Sequence, residues 1–191
     1  MQKNTTDNSH IEAQGNVQIG DNITNIGTSQ TPSVPRLLTN VVPIESNGII
    51  GRKKEMRDTY DLLHAGKTAV LFNGVGGIGK TTVAREYMVQ FQSDYAHLAW
   101  LTANQGIASA FVDDVVLLKN LGLTDDINAL MSKGGGDAGQ LAAFQCVLNV
   151  LSNQPKVLVV VDNANDLADF AQYRNLLKSR QPTRFAATFG H

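Results

Sequence analysis

Gly74-Val75-Gly76-Gly77-Ile78-Gly79-Lys80-Thr81 fits the pattern G-x-x-x-x-G-K-[ST] at every position. Its surroundings supply what that pattern needs. Thr68-Ala69-Val70-Leu71-Phe72 is a short apolar run, as expected of a strand buried on both faces. From Thr81 to about Gln92, residues Val83, Ala84, Tyr87, Met88 and Phe91 recur at helical spacing. Strand, glycine turn and helix therefore follow in order. Glycines let several backbone N–H groups converge on one concavity, and the start of the helix adds positive potential. Such a loop cradles phosphates. Lys80 is placed to reach the β- and γ-phosphates, Thr81 to hold Mg²⁺, and Thr82 to lie near the α-phosphate.

The same alternation continues outward. Helices are expected over Lys53–Ala65, Ile107–Leu121, Leu141–Leu151 and Leu167–Lys178, with a break at Gly134-Gly135-Gly136. Strands are expected over His97–Thr102 and Val157–Val161. Strands alternating with helices imply an α/β fold with a mostly parallel sheet between two helical layers. Together with the phosphate loop this is the P-loop NTPase three-layer sandwich, here lacking a full C-terminal portion.

Val157-Leu158-Val159-Val160-Val161-Asp162 is an apolar strand ending in a carboxylate, the form of a Walker B strand. Its Asp would face the Mg²⁺ held by Thr81, so Thr81 and Asp162 are the candidate metal pair and Lys80 and Asp162 the candidate catalytic residues. Many ATPases place Asp or Glu next in sequence to activate water. Asn163 stands there instead; an amide orients water but cannot take its proton. Asp166 is a nearby substitute, and slow hydrolysis is the expectation. No Asn-Lys-x-Asp segment occurs, so adenine is the expected base.

The chain has 191 residues, 42% hydrophobic and 17% charged, with net charge −1. One globular domain plus a short extra segment fits that length. The near-zero charge argues against a nucleic-acid partner. The start Met1-Gln2-Lys3-Asn4-Thr5 is no signal peptide, and no apolar run approaches the ~20 residues that span a bilayer. No membrane partner and a cytoplasmic setting are the resulting expectations. The single cysteine, Cys146, lies among Leu141, Phe144, Val147 and Leu148 and reads as a packing residue. His97 and Trp100 read as packing or surface residues, and the acidic pairs at 113–114 and 125–126 as solvated ends of elements.

Residues 1–35 are rich in Asn, Thr, Gln, Gly and Ser, and the first aromatic residue is Tyr60. This leader lacks the apolar surface to fold alone. Residues 36–46 read as a linker, and 47–191 as the nucleotide-binding domain.

Several features now coincide. Ile49-Ile50-Gly51-Arg52-Lys53-Lys54-Glu55-Met56 precedes a phosphate loop that continues into a second threonine, Thr82. Phe91 to Leu101 follows as an aromatic-rich second strand, and then the Walker B strand. Over about residues 47–180 this resembles the NB-ARC domain of STAND-type signalling ATPases, the class shared by plant resistance proteins, apoptotic scaffolds and many bacterial and fungal NLR-like proteins. The resemblance implies a switch in which ADP holds a resting form and ATP exchange permits oligomerisation. It implies that Ile50, Gly51 and Arg52 lie near adenine and ribose. It assigns Gly74, Val75, Gly76, Gly77, Ile78, Gly79, Lys80, Thr81 and Thr82 to the nucleotide and metal, with Asp162 as the Walker B acid. The family's fourth strand ends in Thr-Thr-Arg or Thr-Ser-Arg, whereas here Thr188 is followed by Phe189.

Gln14 to Ile26 alternates Val17, Ile19, Ile23 and Ile26 with Asn, Gln, Gly and Thr. The core Gly-Asn-Val-Gln-Ile-Gly-Asp-Asn resembles RHIM-related amyloid signalling motifs, which template their fold in an effector protein. Residues 14–26 are thus a candidate for self-assembly or effector contact. A flexible leader, or a hairpin turning at Gly20-Asp21, is the plainer reading. For the domain, the competing expectations are an AAA+-like or other catalytic P-loop ATPase or kinase, with Arg85, Arg174, Arg180 or Arg184 as an arginine finger, or an inactive truncated product.

Overall fold

The structure, a computed structural model, describes residues 17–19, 22–24, 33–40, 52–65, 69–74, 79–164, 166–178 and 183–190. The chain divides into two units, Met1–Ser33 and Val34–His191. In the first, β1 (Val17–Ile19) and β2 (Asn22–Thr24) pair antiparallel with Ile19 opposite Asn22.

In the second, β3 (Ala69–Gly74), β4 (His97–Thr102), β5 (Val157–Asp162) and β6 (Arg184–Gly190) form one parallel sheet in the order β3-β6-β5-β4. The strand before the phosphate loop and the Walker B strand are therefore not neighbours; β6 lies between them. The helices are α1 (Lys53–His64), α2 (Lys80–Phe91), α3 (Ile107–Val112), α4 (Val115–Leu121), α5 (Thr124–Gly134), α6 (Gly136–Ser152) and α7 (Leu167–Lys178).

Alternation along β5 explains the layering. Val157, Val159 and Val161 join one core with Phe111, Phe144 and Tyr173, from α3, α6 and α7. Leu158 and Val160 join another with Leu63, Ala84, Tyr87 and Met88, from α1 and α2. The five apolar side chains of β5, residues 157–161, are at most 2% exposed, so the strand is apolar on both faces because both faces are covered. Trp100 and His97 do pack: Trp100 is buried under the Arg85 guanidinium, 5.9 Å from its ring, and His97 Nδ1 bonds the Pro35 carbonyl at 2.8 Å.

Three expectations are corrected. The helix expected over Ile107–Leu121 is two helices, because the apolar period runs through a break at Asp113-Asp114. Asp114 caps α4, its Oδ1 accepting from the Leu117 N–H at 2.8 Å. Thr124–Gly134, unassigned from sequence, is helix α5, which buries Ile127 alone among its residues. The helix expected from Leu141 starts earlier, at Gly136, after a turn with Gly135 at φ +59. A Cβ on Gly134 would lie 2.4 Å from the Gly139 Cα, so α5 and α6 approach at a spacing only glycine permits.

The residues expected to open a linker lie instead along the outer edge of β4. Leu98 N–H donates to the Arg36 carbonyl, Leu38 N–H donates to the Leu98 carbonyl, both at 2.8 Å, and the Trp100 N–H donates to Thr39 Oγ1 at 2.8 Å. This strap uses the free hydrogen-bonding edge that a terminal strand otherwise leaves exposed. Leu38 is fully buried beneath it. Among the described residues no helix is long and apolar enough to cross a membrane.

Leu38→Ala is expected to cost about 2–5 kcal/mol in urea denaturation, the loss typical of a core leucine. A residue in a free linker would cost nothing measurable, so the two descriptions separate in one experiment.

Candidate functional site

The carboxyl ends of β5 and β6 meet the start of α2. Asp162 Oδ1 accepts from Thr81 Oγ1 at 2.8 Å and from Thr188 Oγ1 by a short hydrogen bond. Residues 81, 162 and 188, remote in sequence, thus converge on one carboxylate oxygen. Strand order explains how. β6 pairs with β5 in a register that sets Ala187 beside Val161, so the next residues, Thr188 and Asp162, come side by side, where β5 ends and β6 has two residues left. Phe72 of β3 stands opposite Thr188 on the other side.

Thr188 also fixes the chain beyond Asp162. Its hydroxyl oxygen accepts from the Asn163 N–H at 2.9 Å and its carbonyl accepts from the Ala164 N–H at 2.9 Å. Asn163 takes the left-handed conformation, φ +61, which asparagine tolerates better than most residues. That conformation turns its amide toward Asn104, whose Oδ1 accepts from Asn163 Nδ2. Asp166, the nearby acid, is engaged at the start of α7. Its Oδ1 accepts from the Ala168 N–H at 2.8 Å and the Asp169 N–H at 3.3 Å, which caps the start of α7. Asp169 in turn accepts from the Ile107 N–H at 2.7 Å. A cleft of about 620 Å³ lined by Asn104, Asn163, Asp166 and Asp169 opens beside these ends.

Gly79 precedes α2 at φ +84, and its carbonyl accepts the Val83 N–H at 2.9 Å. Nothing crowds the space a Cβ would take; the φ is what calls for glycine. Lys80 and Thr81 are half-buried in the first turn and Thr82 is exposed. Gly74 ends β3. Val75, Gly76, Gly77 and Ile78 lie outside the described residues, as do Ile50 and Gly51. Arg52 directly precedes α1, 3.6 Å from Glu55.

The donor set suits a hard cation. A threonine hydroxyl and a carboxylate oxygen, 2.8 Å apart, are oxygen ligands of the kind Mg²⁺ takes together with phosphate and water. The N-terminal turn of a 12-residue helix supplies the N–H groups and field a phosphate chain needs.

Two arginines offered as fingers are placed elsewhere. Arg85 stacks on Trp100, and Arg184 begins β6, four residues from Thr188 and so about 13 Å away along the strand. Arg180 lies outside the described residues. Cys146 is half-buried in α6, and burial with nearby Asp126 pushes its thiol pKa up, away from the thiolate needed for nucleophilic chemistry.

Sequence reasoning missed Thr188 and Asn104 as site residues. A hydroxyl at the end of the last strand was the available signal, but its meaning depended on that strand lying between β3 and β5.

The NB-ARC domain family matches residues 52–184, well over half of the chain. Curated relatives include the serine/threonine-protein kinase PknK of Mycobacterium tuberculosis and of Mycobacterium bovis. Each is 23% identical over 151 residues, covering 75% of this chain and 13% of the relative.

Thr188→Val keeps the volume and removes the hydroxyl. It leaves the Asn163 N–H without its acceptor, so a loss of about 1–3 kcal/mol in denaturant unfolding is expected. Thr188→Ser is expected to recover most of that loss.

Proposed function

The chain belongs to the NB-ARC family, a nucleotide-binding domain of signalling ATPases, and from that premise we propose that it is an ADP/ATP switch. In this reading ADP with Mg²⁺ holds the resting form, ATP is hydrolysed slowly, and the output is oligomerisation. Gly74 through Thr82 hold the phosphates, with Lys80 as their counter-charge. Thr81 and Asp162 hold the metal, and Ile50, Gly51 and Arg52 border adenine and ribose.

The observation that carries the proposal is the shared Asp162 oxygen. Thr81 and Thr188 hold the carboxylate beside the first turn of α2. Beside it, Asn163 offers an amide already engaged with Asn104, and Asp166 is spent on a helix cap. The site is built to bind a nucleotide and metal and is poorly equipped to deprotonate water. Retention without rapid turnover suits a switch.

The self-assembly reading of residues 14–26 is part of this proposal. Three-residue strands paired as a two-stranded ribbon are marginal by themselves, so the segment has little to lose by stacking.

The deciding measurement is the nucleotide released when the purified protein is denatured, with Lys80→Ala as control. Near-stoichiometric ADP from the wild type, lost in the variant, is expected; a folded wild type that releases none overturns the retention reading. Asn163→Asp is expected to raise steady ATP turnover by about tenfold or more, since a carboxylate then stands beside the metal site. Unchanged turnover in that variant would place the limiting step outside proton transfer.

A further inference from the structure

Thr188 is 2% exposed and lies in a strand bonded on both sides, to β3 and to β5. A buried hydroxyl is costly unless its hydrogen-bonding capacity is used. Here it is used on two adjacent residues. An ionised carboxylate only accepts, so Thr188 Oγ1 donates its single hydrogen to Asp162 Oδ1. The same oxygen accepts from the Asn163 N–H at 2.9 Å. With its hydrogen on Asp162 and a lone pair on the backbone, this hydroxyl is placed to act through Asp162.

Thr81 obeys the same rule. Its hydrogen goes to the same Oδ1 at 2.8 Å, which turns its lone pairs away from Asp162. A hydroxyl in that orientation presents its oxygen to a hard cation. The orientation holds only while Oδ1 stays where it is. The terminal torsion of an aspartate is broad and roughly two-fold, so one donor leaves the carboxylate free to turn. Two donors from separate elements, the first turn of α2 and β6, fix it. Of these, Thr188 is the stiffer anchor. It is buried in an interior strand beside Ala186 and Ala187, whereas Thr81 is half-buried in the first turn of a helix.

We propose that Thr188 is a positioning residue for the divalent cation. Through Asp162 Oδ1 it sets the carboxylate, and through the carboxylate the Thr81 hydroxyl, and so it sets the Mg²⁺ affinity of the nucleotide site. The proposal rests on the reading of Thr81 and Asp162 as the metal pair. Groups that orient metal ligands typically account for about 10–100-fold in metal affinity. Contacts to the nucleotide itself do not pass through Thr188, so its effect falls on the metal-dependent part of binding.

The test titrates a fluorescent ADP analogue into the full chain, freed of bound nucleotide, in EDTA and over a range of MgCl₂. Wild type is expected to bind more tightly with Mg²⁺. Thr188→Val is expected to match wild type within about twofold in EDTA, and to need roughly tenfold or more Mg²⁺ to reach the tight form. Thr188→Ser, which keeps the hydroxyl, is expected to restore the wild-type Mg²⁺ requirement. A role in stability alone would move the unfolding midpoint and leave the Mg²⁺ requirement of the folded protein unchanged. If Thr188→Val fails to fold, Thr188→Ala, which leaves room for a water to meet the Asn163 N–H, carries the test. An unchanged or lowered Mg²⁺ requirement in a folded variant, an equal loss with and without Mg²⁺, or no rescue by serine would each overturn the proposal. ADP binding by wild type that ignores Mg²⁺ would overturn the metal pair as well, and no ADP binding in either condition would overturn the switch reading beneath both.

Discussion

One carboxylate oxygen organises the phosphate end of the domain. Asp162 Oδ1 receives two hydroxyl donors, one from the first turn of α2 and one from the end of β6. Hydrogen bonds to an ionised acceptor are roughly twice as strong as neutral ones. Each also spans a long sequence separation, 81 and 26 residues, so the pair ties together segments that no local propensity would align. The turn beyond Asp162 follows from the same hydroxyl. Thr188 receives the Asn163 N–H, which sets the left-handed turn, and that turn aims the Asn163 amide at Asn104.

What was legible in the sequence was whatever local chemistry determines alone. The phosphate loop needs glycines and a lysine at fixed spacing, and β5 is apolar at every position before its acid because both faces are covered. The break at Asp113-Asp114 was hidden because Phe111, Val115 and Leu118 keep the helical period across it. Once the helix breaks, the side chains part ways: Phe111 and Leu118 are buried while Val115 is 71% exposed. Helix α5 was hidden for the opposite reason. It carries Ile127, Leu130 and Met131 at helical spacing, but it sits on α6 and buries only Ile127. The strap along β4 was illegible in principle, since Leu38 is a core residue only because an edge strand lies beside it. Thr188 shares that logic: a threonine near the end of a strand acquires a role from its neighbours in the sheet.

The absence of an acid after Asp162 has an electrostatic side. Two adjacent carboxylates at one strand end repel, and a bound cation is what relieves that repulsion. With Asn163 the repulsion is gone, and the site holds its geometry through neutral hydrogen bonds to Asn104 and Thr188.

Strand β6 joins the two ends of the sheet. At its carboxyl end Thr188 gives and takes hydrogen bonds that are all satisfied. At its amino end Arg184 has one donor satisfied and one buried donor without an acceptor. The contrast matters because buried polar groups in folded proteins are nearly always paired. Between the two lie Phe185, Ala186 and Ala187, each at most 4% exposed and packed on both faces. So short and tightly packed a strand has no room to slide without disturbing both cores.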